Sequence, residues 1–317
     1  MTTLKKSSLL FALFLVQLSF GQHTDVINSN RPGESMTAYS VGKTVFQVES
    51  GIYFNRENHK LLGYEATGMG LNLDLRYGFF LEQLEFVLNS QMQFDQYTAP
   101  LIQDNRSGFR NLTFGAKYLF YDPYKNYEEK VNIYSWKANQ KFNWRRLLPA
   151  VAVYAGANFV VGDAFSFPEE PSFSPKAMVV TQQHLTNHLV FVTNIFADRI
   201  GTDFQSFGYV ITLTNGFNEK WSGFLENKGI QGDYYADSIL TVGAAYLLFE
   251  NFQIDASLSK NFKDTPDIFY GGIGCSWRFD KKHRPIMLEK EDPADKRDGK
   301  KKKKEKEEKK RLDEIEG

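Results

Sequence analysis

The chain has a single cysteine, Cys275, in 317 residues. No disulfide can therefore form within it. After Gly21 it lacks any apolar run of about 18 residues or more, so no membrane-spanning helix is expected. It has no excess of either charge, with 38 basic and 38 acidic residues and no basic patch, which argues against a nucleic-acid partner. Only five histidines are present. His184 and His188 are four apart, but they flank a predicted turn and no third ligand accompanies them, so a solvent-facing pair is expected and no metal. His23, His59 and His283 fall in a lead, a loop and a tail. None has a Ser and a third group beside it that would suggest a nucleophile and base, so neither catalysis nor a cofactor is expected.

Aromatics are abundant instead, with 28 Phe and 16 Tyr making most of a 15% share. The stretch that organises the rest is 70–94. Leu71, Leu73, Leu75 and Tyr77 alternate with Asn72, Asp74 and Arg76. After a tight turn, Leu84, Phe86, Leu88, Met92 and Phe94 alternate with Glu85, Asn89, Gln91 and Gln93, while Val87 and Ser90 break the pattern. Side chains alternate faces along a strand, so each strand has one apolar and one polar face. In a soluble sandwich the polar face would meet water. In an outer-membrane barrel it would line the lumen and the apolar face would meet lipid.

The start of the chain favours export. Lys5 and Lys6 precede an apolar run over 9–20 that is too short to span a bilayer, and Ser19-Phe20-Gly21 offers a cleavage site. This reads as a signal peptide over 1–21. Of the 38 basic residues, 15 lie after Asp280 and two in the signal, leaving 21 against 27 acidic over 22–280. Residues 22–42 contain Asn-Ser-Asn-Arg-Pro-Gly-Glu-Ser, which is turn chemistry and reads as a lead preceding the first strand.

Alternation then predicts strands at 43–55, 71–77, 84–94, 109–120, 148–161, 176–184, 189–197, 206–214, 221–228, 238–248, 252–260 and 267–279. Twelve is an even number, as single-chain bacterial barrels require. The connections after odd strands (56–67, 95–108, 162–175, 198–205, 229–237) are predicted to be longer than those after even strands (78–83, 185–188, 215–220, 249–251), with 121–146 the exception. This asymmetry fits both termini in the periplasm. The expected fold is an all-β transmembrane antiparallel up-and-down barrel over 43–280. The last strand ends Ser-Trp-Arg-Phe, which resembles the signal read by the barrel-assembly machinery. Residues 281–317, with five lysines at 300–304, are too charged to fold alone and read as a solvated tail or exposed helix that could contact a periplasmic partner.

Glu49, Asp74, Arg76, Glu85, Arg110, Lys117, Glu226, Lys228 and Asp255 all fall on predicted polar faces. They are candidate lumen-lining residues, either as a constriction that selects solutes or as paired charges that only stabilise the wall. Arg31 and Glu34 could fold into the lumen as a small plug, or cap a periplasmic turn. Cys275 shares a face with Ile273 and Trp277 and is expected to meet lipid.

Several short motifs together resemble one family. They are Arg-Pro-Gly-Glu-Ser at 31–35, Phe-Gln-Val-Glu-Ser-Gly at 46–51, Leu-Arg-Tyr-Gly at 75–78 and Leu-Thr-Phe-Gly-Ala-Lys-Tyr at 112–118. Leu148-Pro149, Asn194, Glu226, Gly-Ala-Ala-Tyr at 243–246, Asp255 and Trp277-Arg278-Phe279 continue the likeness. Over about 28–280 the chain is similar to the outer-membrane transporters of the phenol-degradation MetA type. The resemblance implies an outer-membrane barrel that passes small solutes, hydrophobic or aromatic ones among them. The 121–146 segment and the tail depart from that pattern. A structural barrel that anchors an envelope assembly through those two segments is the alternative. An outer-membrane lipid-modifying enzyme is a lesser one.

Overall fold

The structure is a computed structural model, and it describes residues 26–125, 134 and 144–280. The predicted signal peptide, the tail and most of 121–146 lie outside the described residues. Twelve antiparallel strands close into one barrel in chain order, with β1 pairing both β2 and β12. They are β1 Phe46–His59, β2 Tyr64–Gly78, β3 Leu84–Ala99, β4 Ile102–Tyr121, β5 Ala150–Phe159 and β6 Phe173–His184. The others are β7 Leu189–Asp198, β8 Ser206–Gly216, β9 Trp221–Gly232, β10 Ala236–Phe249, β11 Phe252–Asn261 and β12 Asp267–Phe279. Closure leaves no strand edge, so every wall position can complete its backbone ladder.

The alternation explains the two surfaces. In β1, Gln47, Glu49, Tyr53 and Asn55 are buried, while Phe46, Ile52 and Phe54 are exposed on the outside. Between the two ends the outer wall is apolar, with Ile273 at 66%, Ile195 at 62% and Leu258 at 55% exposure. At the end holding the termini, Phe46, Tyr77, Trp277 and Phe279 stack on one another, and Trp221 packs on Tyr246. Toward the other end lie exposed Phe54, Phe94, Phe109, Phe173, Phe207 and Phe269. An apolar band between two aromatic girdles is stable in lipid and not in water. The protein is a transmembrane barrel of the bacterial outer membrane.

Three predicted loops are corrected. Strands β1 and β2 run on to His59 and from Tyr64, β3 and β4 to Ala99 and from Ile102, and β9 and β10 to Gly232 and from Ala236, so 56–67, 95–108 and 229–237 are mostly ladder and the predicted excess length of these connections is absent. These extensions stay paired through cross-strand partners: Arg56 bridges Glu65 at 2.9 Å and Arg106 bridges Asp95 at 2.8 Å. Charges opposite each other stabilise a pair without any apolar face. The sequence signal for the β1–β2 turn was Gly63, which takes φ +66° and donates its N–H to His59 O.

Candidate functional site

The residues before β1 do not stay outside the cylinder. From Val26 to Lys43 the lead enters at the termini end, crosses the lumen and returns to start β1. Its backbone meets the wall strand by strand. Arg278 donates to Val26 O at 3.0 Å, and Gln47 and Arg76 donate to Asn28 O at 3.1 and 2.7 Å. Glu49 accepts from the backbone N–H groups of Asn30 and Arg31, each at 3.1 Å, and from the Ser29 hydroxyl at 2.9 Å. Glu226 accepts from the N–H groups of Glu34 and Ser35 at 2.9 and 3.2 Å. Asn194 accepts from Met36 N–H and donates to Met36 O, and Gln182 accepts from Ala38 N–H at 3.0 Å. Lys117 donates to Thr37 O and Tyr39 O, and Glu85 accepts from Val41 N–H at 2.9 Å. An irregular segment cannot satisfy its own backbone, so inside a barrel the wall must do it.

The wall's charges form a string behind the lead. Arg76 bridges Glu49 and Glu85, each at 3.1 Å, and Lys117 bridges Glu85 at 2.7 Å. All four side chains are fully buried. Two cations and two anions cancel, which is what burial of charge demands. Arg31 reaches across to Asp255, bonding it at 3.0 Å and 3.3 Å. Its guanidinium lies on the inner face of Gly51 and Gly274, where a Cβ at either would sit 2.2 Å from Nη2. Glycine at both positions is what admits the Arg31 head. Glu34 pairs with Lys228.

Of the nine candidate lumen residues, Glu49, Arg76, Glu85, Lys117, Glu226, Lys228 and Asp255 bond the lead. Asp74 instead accepts from Asn89 at 3.0 Å, and Arg110 donates to Gln93 Oε1 at 2.9 Å. Arg110 reaches the lumen from a bulge in β4, where the ladder shifts between Gln91 and Met92. Arg31 and Glu34 both lie inside the cylinder, so capping a terminal turn is corrected: the turn residues bend the lead through the lumen. His184 is also corrected. It faces the lumen, edge-on to Tyr39 and Tyr124 at 5.9 Å each, while His188 alone is exposed in the turn. Among the described residues no metal-ligating set converges.

Beside these charges and amides the inner wall carries an apolar patch, mostly on β5 to β8. Met36 and Ala38 of the lead pack against Val87, Ala152, Tyr154, Met178, Val180 and Phe196. Val87, the residue that broke the alternation of β3, is fully buried here. The amides Gln47, Gln182, Asn194 and Gln253 also hold the lead, and reading charges alone missed them. Their inward register was the only signal. Between the lead and the wall, toward the termini, is a cavity of about 650 Å³, lined by Tyr39, His184, Val192, Thr212, Phe224 and Gln253 among others.

The sequence profile of the family described as "Putative MetA-pathway of phenol degradation" matches residues 29–279. No curated protein matches. The COG4313 outer membrane channel from Pseudomonas putida F1 is similar in structure at 11% identity and a TM-score of 0.48, covering 80% of this chain and 100% of that one. The toluene transporter TodX from Pseudomonas putida aligns at 8% identity and a TM-score of 0.46, covering 82% and 98%. The translocator domain of the autotransporter NalP from Neisseria meningitidis aligns at 9% and 0.46, covering 75% and 89%.

Proposed function

The chain belongs to the family of the MetA pathway of phenol degradation, and from that premise we propose that it is a non-enzymatic channel for small solutes whose own N-terminal lead closes the lumen. The observation that carries this reading is the lead's attachment. It is held by hydrogen bonds and ion pairs to wall side chains, with no strand pairing across the lumen. Such contacts exchange with water and reform, so the lead can shift without breaking the barrel ladder.

The lumen's two faces suit solutes that are partly apolar. One arc offers Val180, Phe196 and Val210, the other amides and charges. The cavity under the lead is the size of a small organic molecule. The family description's reference to phenol degradation supports small aromatic compounds among the solutes.

The test is swelling of liposomes containing the purified chain, in graded neutral solutes, beside the Glu226→Ala variant. Slow, size-limited entry that quickens in the variant supports the reading. Liposomes that stay impermeable with both proteins refute it.

A further inference from the structure

At the end away from the termini, the connection from β5 to β6 does not stand clear of the barrel. It covers residues 160–172. Its base is closed by the Val160 N–H, which donates to Ser172 O at 3.0 Å, and it turns at Gly162, which takes φ +85°. Further on, the Phe167 N–H donates to the Glu170 carboxylate at 3.0 Å and the Glu170 N–H to Phe167 O at 3.1 Å. These bonds make a compact lobe of the connection.

One side of the lobe rests on the inner face of β4. Arg106 and Gly108 alternate there with the exposed Ser107 and Phe109. The Arg106 guanidinium bridges Asp95 at 2.8 Å and lies 4.7 Å from the Tyr97 ring, and the Phe165 ring covers it at 5.1 Å. A Cβ on Gly108 would lie 3.5 Å from the Ala164 Cβ. The other side of the lobe meets two further connections. Phe167 stacks on Phe204, between β7 and β8, at 5.1 Å and 11°. Both rings meet Tyr234, between β9 and β10, at 5.7 and 4.9 Å. Arg199 pairs with Glu170 and lies 5.6 Å from the Phe167 ring. Phe165 and Phe167 are joined by at most about 7 Å of chain. Their contacts are nevertheless on β4 and on the connection that leaves β9, nearly opposite positions in a closed twelve-strand barrel. Five strand spacings along the rim come to about 24 Å, so the lobe lies across the mouth and not along its edge.

We propose that residues 160–172 are an outer gate, latched shut by the Phe167, Phe204 and Tyr234 rings and the Arg199–Glu170 pair. With both termini in the periplasm, this mouth faces outward, and the lumen is closed there as well as by the lead. The latch is made of side-chain contacts between connections, and none belongs to the barrel ladder. Each ring pair adds a modest attraction, so the lobe swings off Arg106 with every strand pair intact. Glu170 has two tasks, since it holds the turn at Phe167 and pairs with Arg199. The gate goes beyond the channel reading, and its test needs no solute to cross.

The experiment uses the full chain in the outer membrane of intact cells, with Cys275→Ser throughout. Gly108→Cys/Ala164→Cys should crosslink on mild oxidation, because a Cβ separation of 3.5 Å is one that a disulfide spans. In separate chains, Asn111→Cys puts a thiol on the inner face of β4, where Asn111 accepts from Thr113, about 10 Å below Gly108. Leu101→Cys puts one at the exposed tip of the β3–β4 hairpin. Fluorescein maleimide added outside should label position 101 quickly and position 111 slowly. Adding Phe167→Ala or Glu170→Gln should speed labelling at 111 severalfold and leave 101 unchanged. Heat-modifiable gel mobility checks that each variant is a folded barrel. Failure of the crosslink to form, equal rates at 111 and 101 in the latched chain, or a rate at 111 that neither latch variant changes overturns the gate. None of these results touches the channel reading, which stands or falls on solute entry into liposomes.

Discussion

Glycine at 51 and 274 decides where Arg31 can go. A side chain at either position would occupy the space of its guanidinium. Gly274→Val should therefore expel Arg31 from Asp255 without altering any charge. Leaving a buried partner unpaired costs about 3–5 kcal/mol, so the lead should become sensitive to added protease while the barrel's heat-modifiable mobility is kept. Glu34 makes a pH prediction. Its carboxyl is lowered by Lys228, so the contact is complete above the ordinary 4.5 and is lost as pH falls through the depressed value. Protease sensitivity of the lead should rise as pH falls below 4.5 through that depressed value, and Glu34→Gln should show the sensitive state already at neutral pH. The nine charged candidates were legible because a charge at an inward register position is conspicuous. Their partners were not, since five of them bond backbone atoms of the lead, which carry no sequence signature.

The lead and the strands were legible to different degrees as elements. Period-two alternation in 70–94 gave both the hairpin and its faces, because lipid on one side and polar lumen on the other enforce it. Strands β5 and β6 gave less. Ala150, Ala152, Met178 and Val180 are apolar yet inward, since they pack on Met36 and Ala38 and not on water. An inner face that is apolar over one arc is the imprint of a segment lying against it, and Val87 was the first sign. The lead itself showed turn residues but no period, so its path was open between lumen and terminal turn. Close backbone approach marks its exit, where a Cβ on Gly78 would fall 1.7 Å from Gly42 O. Deleting residues 28–42 should leave a barrel that still shifts on heating, because no strand pair includes them. Its single-channel conductance should exceed that of the full chain severalfold, and an unchanged conductance would mean that the lead does not obstruct the lumen.

At the scale of the whole molecule, closure of twelve strands leaves a narrow cylinder, between barrels filled by side chains and porins that hold open water. Here a strap of the same chain shares the interior, and the wall is divided to receive it. Charges and amides hold its backbone on one arc, and small apolar groups pack its side chains on the other. On the channel function proposed above, opening means moving the strap while the ladder stays intact. Ser29 of the lead and Ser276 of β12 place their hydroxyl oxygens 2.7 Å apart, near enough for cysteines there to be joined. The direct measurement is conductance of Ser29→Cys/Ser276→Cys, made with Cys275→Ser, in planar bilayers under oxidising and then reducing conditions. A crosslinked channel should stay closed and recover its openings when reductant is added. A crosslink that forms and leaves the openings unchanged would contradict opening by movement of the strap.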